Sequence, residues 1–261
     1  MLKQLFTYLF LLLVFCGCNN NRKGTSSTQN TSSAVTFKYA KNISVEQQAD
    51  YIKVCLADPW KAGHVLHTYY LVQKGSDAKV PDDGTMIQIP MERGVFFGTA
   101  HANLMEMLGN QKVIAGVADA KYMLIPDVQA RLRSKKIVDC GDGMKPDIEK
   151  IIDMKPDALL LSPFENSGGH GKLDEVKISI IECADYMETS ALGRAEWMKF
   201  YGLLFGCEAA ADSLFNEVEE NYLTLKKKAV KSKQTLSVLP DRKTGSVWYV
   251  PGGMSSVGLL Y

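Results

Sequence analysis

Few side chains in this 261-residue chain are equipped for catalysis. Histidine is the residue whose charge changes near neutral pH, and only four occur, at His64, His67, His101 and His170. A hydrolase on an α/β scaffold would need an activated nucleophile beside a base, with an oxyanion hole. Neither Gly-x-Ser-x-Gly nor His-Glu-x-x-His is present. His64 and His67 stand three apart in a strand-like stretch, where that spacing does not bring them to one face, so they read as structural. A zinc or manganese receptor would require three or four convergent His, Asp or Glu ligands, and no such cluster is evident. There is no Cys-x-x-Cys pair. Cys55, Cys140, Cys183 and Cys207 each sit among apolar residues and read as small buried hydrophobes.

What remains suits contact with a ligand more than its transformation. His101 lies just past a strand end, where it either meets a ligand or bonds to backbone at a helix start. His170 lies in Ser167-Gly-Gly-His-Gly171. The glycines there permit close backbone approach, although flexibility alone accounts for them equally well. Tyr122 and Tyr186 either offer aromatic faces to a flat ligand or pack. Trp248 and Tyr249 precede Pro251-Gly-Gly253 and, being adjacent on a strand, point to opposite faces. Charge is balanced, with 30 basic and 29 acidic residues and no basic stripe, so nucleic acid is not a favoured partner.

The elements that must position these residues follow from hydrophobic period. Residues 34–92 read as extended, with alternation in Val35–Tyr39 and Tyr51–Leu56 and further strands at His67–Val72 and Met86–Ile89. This predicts a small antiparallel β addition. From Gly94 the pattern becomes strand–helix alternation, which implies a mainly parallel sheet with helices on both faces. Strands are expected at 94–98, 113–117, 136–138, 158–162 and 178–182, and helices at 101–108, 126–133 and 147–154, the last capped by Asp147. The strand at Ala158–Ser162 is apolar along its length until Ser162, as expected of one covered on both faces. Ala195–Phe205 reads as one amphipathic helix. A longer helix follows from about Cys207 to Lys231, with an apolar stripe at Leu214, Val218, Tyr222, Leu225 and Ala229. At roughly 25 residues it would be about 38 Å long, enough to bridge two lobes.

Three segments carry a family pattern: Arg93–Gly109, Val113–Val117, and above all Pro146-Asp-Ile-Glu-Lys-Ile-Ile-Asp-Met-Lys-Pro-Asp-Ala-Leu-Leu-Leu161. With Trp248–Gly253, they occur in the order found in the substrate-binding proteins of bacterial ABC importers for metal chelates, the cobalamin, haem and iron–siderophore group. The chain resembles that family over residues 93–261. The resemblance implies a Rossmann-like parallel-sheet α/β lobe (93–206), a rigid interlobe helix (207–232) and the start of a truncated second α/β lobe (233–261). A terminal hairpin folding back on the first lobe is the alternative for the last segment. The ligand, a metal chelate, would lie between lobes, with no catalysis. Its wall would be built from loops at the carboxyl ends of strands: Thr99–Asn103, Asp119–Tyr122, Gly141–Lys145, Ser162–Gly171 and Asp185–Thr189. His101, Asn103, Tyr122, His170 and Tyr186 are then candidate ligand contacts, and at most one of Trp248 and Tyr249 faces the cleft.

Glu149 matches the family's acidic residue on the helix after the third loop. The resemblance implies that it docks onto a basic site of the ABC permease, which works with its ATPase; a solvated first-turn glutamate is the plain alternative. The protein would act as a monomer. Several haem and cobalamin binders carry Tyr or Trp shortly before this glutamate, whereas Gly143 stands there in this chain. That departure weakens a haem or cobalamin assignment and leaves iron–siderophore, the most favoured, or another chelate open.

The beginning of the chain implies a location. Lys3 followed by the apolar run Leu5–Phe15 reads as a signal peptide (1–18). Gly17-Cys18 resembles a lipoprotein processing site, which would leave Cys18 to carry lipid. Residues 19–33 are polar throughout and read as a disordered tether. The expected location is the bacterial cell envelope, lipid-anchored, on the periplasmic side or cell surface.

Overall fold

The computed structural model describes residues 35–165, 169–232, 242–252 and 257–258. The signal segment, the tether and Cys18 lie outside the described residues. Four strands come first: β1 (Ile43–Gln47), β2 (Ile52–Ala57), β3 (Val65–Gln73) and β4 (Thr85–Ile89). They form one sheet in that order. β1–β2 and β2–β3 are antiparallel as expected, but β3 and β4 run parallel. Residues 74–84 carry the chain back across the sheet instead of closing a hairpin. The strand expected at Val35–Tyr39 joins no sheet. Its alternation is real, since Val35, Phe37 and Tyr39 pack on the core, but its end is held by two carboxylates.

Those carboxylates belong to Glu188 and Glu196, both buried. Glu196 accepts the backbone N–H groups of Lys38, Tyr39 and Ala40 at 2.8, 2.6 and 2.9 Å. Glu188 accepts those of Lys41 and Asn42 and the indole N–H of Trp197, all within 3.1 Å. A buried charge is tolerable when it is hydrogen-bonded this densely. Residues 38–42 thus form a strap tied to the segment that follows the last strand of the second sheet.

That second sheet is built by β5 (Gly94–Phe96), α1 (Thr99–Met107), β6 (Ile114–Val117), α2 (Pro126–Arg133), β7 (Val138–Asp139), the small pair β8 (Gly141–Asp142) and β9 (Lys145–Pro146), α3 (Ile148–Met154), β10 (Ala158–Leu161) and β11 (Ser179–Glu182). Its order is β11-β10-β5-β6-β7, and every pairing is parallel. α2 starts with Pro126 at its first turn, where the missing N–H costs nothing. Asp147 caps α3 by accepting the Lys150 N–H at 3.2 Å. β10 is buried at every position. Its side chains divide by parity: Leu160 joins a core with Phe96, Ile114 and Ile181, while Leu159 and Leu161 join a second with Val95, Cys140, Ile151 and Leu173. The first core runs on through Tyr69, Leu71 and Ile87 of the four-stranded sheet, so the two sheets share it.

The helix expected over 195–205 is two, α4 (Ala191–Glu196) and α5 (Met198–Phe205), meeting at the fully buried Trp197. α6 (Glu208–Lys231) follows after a left-handed turn at Gly206. With 24 residues it is about 36 Å long. Its buried anchors are Ala211 and Phe215. Of the expected stripe, Leu214 and Val218 pack against the core, whereas Tyr222 and Leu225 are exposed. At Gly202 on α5 a Cβ would come within 2.8 Å of the Cβ of Ala211, so glycine sets the close approach of α5 and α6. Beyond α6, β12 (Arg242–Thr244) and β13 (Val247–Tyr249) form an exposed antiparallel pair. No helix among the described residues is long and apolar enough to cross a membrane.

Candidate functional site

In the parallel sheet, the chain builds outward from β5 through β6 to β7, then crosses to β10 and β11 on the other side. Loops leaving the carboxyl ends of β5 and β10 therefore diverge, and open α/β sheets hold ligands at such a point. A cleft of about 410 Å³ lies there. Its walls are Phe97 and Gly98 after β5, Asp119 after β6, Gly143 and Met144 between β8 and β9, Ser162 and Phe164 after β10, and His170 further along the same loop. Met144 and Phe164 are 83% and 52% exposed, so the cleft presents apolar and aromatic surface to solvent. A more open groove of about 640 Å³ lies along β7, flanked by Lys121, Arg133, Lys135 and Lys150, away from the switch point.

The sequence reading places Asp119 in a wall loop, Asp119–Tyr122, without singling it out as a contact. Asp119 holds a left-handed backbone, φ 52°, a conformation uncommon outside glycine and concentrated at functional sites. The turn is fixed by its N–H donating to the Gly141 carbonyl at 2.7 Å and its own carbonyl accepting the Tyr122 N–H at 2.8 Å. A Cβ at Gly143 would lie 2.5 Å from Asp119 Oδ2. The Asp119 carboxylate therefore lies against Gly143, where any side chain would have to displace it. Only an Asp–Gly coincidence between two separate loops could have signalled this.

The proposed contact residues separate into two groups. His170 lines the cleft. Tyr186 lies close by, its hydroxyl donating to the Pro163 carbonyl at 2.5 Å, and burial pushes its phenol upward. The remaining five do not line the cleft. His101 is buried, its Nε2–H donating to Asp185 Oδ1 at 2.8 Å, and the Tyr201 hydroxyl donates to the same oxygen at 2.8 Å. It joins α1 to the turn after β11. Asn103 faces outward on α1, with its side-chain N–H directed at Met107 Sδ. Tyr122 is 67% exposed beneath the Lys121 ammonium. Trp248 and Tyr249 are exposed on β13, and Lys243 covers the Trp248 ring. Glu149 is exposed on the first turn of α3. Cys55, Cys140, Cys183 and Cys207 are free thiols, and burial pushes Cys140 up to about 12. Among the described residues no group of three or more His, Cys, Asp and Glu is arranged to hold a metal ion.

Behind the cleft the Nε2–H of His170 donates to Glu182 Oε1 at 2.8 Å, which holds the imidazole above its ordinary range. His67, its ring 4.4 Å from that of Tyr69, is pushed down by burial. The two contribute to stability with opposite signs. The His170 contribution is complete below pH about 6.5 and is lost as pH rises through its raised pKa. The His67 contribution is present above that pH and is lost as pH falls. His170→Asn is therefore expected to flatten the alkaline fall in melting temperature between pH 6 and 8, and His67→Asn the acid fall. Thermal melts of both variants across pH 5–8 check this, and identical profiles would refute it.

The family model for periplasmic binding proteins matches residues 95–260. The chain belongs to that family, whose fold is the one described: a parallel-sheet α/β lobe, antiparallel strands and a long helix. Among curated relatives, the uncharacterized lipoprotein MJ0878 of Methanocaldococcus jannaschii is 26% identical, over 92% of this chain and 63% of that protein. The uncharacterized lipoprotein MJ0872 of the same organism is 25% identical, over 82% of this chain and 59% of its own length. The chain thus spans about three-fifths of these relatives. Among solved structures, the petrobactin-binding protein YclQ from Bacillus subtilis superposes with a TM-score of 0.55 at 17% identity, over 67% of this chain and 59% of that one. The catecholate-siderophore binding protein VctP from Vibrio cholerae gives 0.52 at 20% identity, over 67% and 60%. These likenesses are of fold.

Proposed function

We propose that this protein is the substrate-binding component of an ABC importer, capturing a metal chelate and delivering it to the permease and its ATPase. The observation that carries this reading is the apolar cleft at the switch point of the parallel sheet, rimmed by Met144 and Phe164. Such a surface suits the capture of a compact ligand with an organic shell. Structural neighbours named as siderophore binders favour an iron–siderophore. The Asp119 carboxylate against Gly143 argues against a flat macrocycle stacked at that position. Cys18 would carry a lipid, holding the body on the extracytoplasmic side of the envelope.

Equilibrium dialysis of the full-length protein against ferric hydroxamate and ferric catecholate complexes, haem and cobalamin tests the reading. Micromolar binding of at least one ferric chelate is expected, and retention of none would overturn it. Glu149 supplies the permease contact. Its carboxylate makes no hydrogen bond or ion pair among the described residues, and the neighbouring Lys150 pairs with Asp147 at 3.1 Å. A surface charge of this kind steers association more than it adds affinity. Glu149→Ala is expected to leave chelate affinity unchanged and to slow uptake several-fold in cells; undiminished uptake would remove the role.

A further inference from the structure

The charge of the cleft narrows the class of chelate, on the reading that the protein binds one. Among the described residues thirteen line it, and no lysine or arginine is among them. Two are ionisable, Asp119 and His170. His170 is already matched: its ring N–H donates to Glu182 at 2.8 Å, and its backbone N–H donates to Asp174 at 2.7 Å. Its proton is shared with a carboxylate behind the wall, so it offers no free positive charge to a ligand. The nearest run of cations, Lys121, Arg133, Lys135 and Lys150, flanks the separate groove along β7.

Asp119 is the unmatched charge. Its carboxylate lies over the Gly143 backbone and beside Phe97, and it accepts no hydrogen bond among the described residues. The backbone keeps it there at φ 52°, pinned by bonds to Gly141 and Tyr122. A carboxylate fixed in an apolar cleft loses water when a ligand arrives, and it must then be met by a donor or a cation. A like charge placed against it is strongly disfavoured. We infer that Asp119 is a specificity-determining residue that selects chelates bearing a cationic or N–H-donating periphery and rejects anionic ones.

The test uses three ferric probes: a trihydroxamate complex carrying one free ammonium group, its N-acetylated neutral counterpart with the same iron coordination, and a triply anionic tris-catecholate complex. Calorimetric titration of the full-length wild-type protein is expected to rank them cationic, neutral, anionic, with about ten-fold or more between the first two. Asp119→Asn keeps the shape and tolerates the left-handed backbone. It is expected to remove the cationic-over-neutral preference and to bring the anionic complex closer. Asp119→Gly, to which that φ is freely available, should do the same and guards against a variant that fails to fold. Wild-type binding of the cationic and neutral probes with equal affinity, or a preference that survives both substitutions, overturns the assignment to Asp119 while leaving the binding-protein reading intact. Binding of none of the three by the wild type removes both.

Discussion

Replacing Glu196 by alanine is expected to lower the unfolding free energy by about 3 kcal/mol or more. The carboxylate is fully buried and accepts three consecutive backbone N–H groups from the strap. Truncation leaves those donors facing a side-chain-sized void, and each unsatisfied buried donor costs about 1–3 kcal/mol. For a body of this size the midpoint of thermal unfolding should fall by about 6 °C or more. Glu196→Gln, which keeps the volume and one acceptor oxygen, should fall in between. Lys199→Ala serves as control: its ammonium lies 3.4 Å from Glu196, so removing it takes away a partner and none of the acceptors. A midpoint in Glu196→Ala within one or two degrees of wild type would show that solvent replaces the carboxylate and that the strap is not held as described. The consequence extends towards the cleft. The strap also rests on Glu188, three residues after Asp185, which receives His101 and Tyr201. Loosening residues 38–42 therefore loosens the segment that braces α1, whose first turn starts beside Gly98 in the cleft wall.

This dependence marks where sequence reading stops. Elements that announce themselves locally were legible. α2 begins at the residue its proline indicates and ends at Arg133, and β10 is buried along its length as four consecutive apolar residues require. The loops leaving β6 and β10 supply cleft walls, as expected of an open parallel sheet, because strand direction alone decides which ends carry the site. Features set by distant partners were not legible. Val35–Tyr39 alternates like a strand, yet its N–H groups meet acceptors some 157 residues away, and no local pattern distinguishes a carboxylate from a neighbouring strand. His101 stands at a strand end like a ligand contact, but a Cβ at Gly98 would come within 2.6 Å of its ring, and that close packing turns it inward to Asp185. Asp119 was placed in a wall loop but not singled out as a contact, for the converse reason. Its left-handed backbone arises from bonds to Gly141 and Tyr122, and aspartate is ordinary in turns.

The long helix gives the second large effect, and it is a contrast. Phe215→Ala is expected to cost about 3–5 kcal/mol, whereas Leu225→Ala should stay within about 0.5 kcal/mol of wild type. Leu225 belongs to the apolar stripe read from the sequence and Phe215 lies at its edge, but burial reverses their weight. Phe215 is 2% exposed and Leu225 is 64% exposed. The Phe215 ring meets Tyr39 at 6.2 Å and lies under the Lys199 ammonium at 4.5 Å, so its loss opens a cavity between helix and strap. Tyr39 is itself bonded through its hydroxyl to Glu219, one turn further along α6, and Lys38 reaches the same carboxylate at 2.7 Å. The front half of the helix is thus fixed to the body by a ring, a strap and an ion pair. Leu225 touches none of these, and leucine and alanine have similar helix propensities. Urea unfolding at constant m-value reads the two costs directly. A Leu225→Ala cost approaching that of Phe215→Ala would mean that the rear of α6 is covered in solution by a further part of the protein, and that the apolar stripe read from the sequence is a packed surface along its whole length.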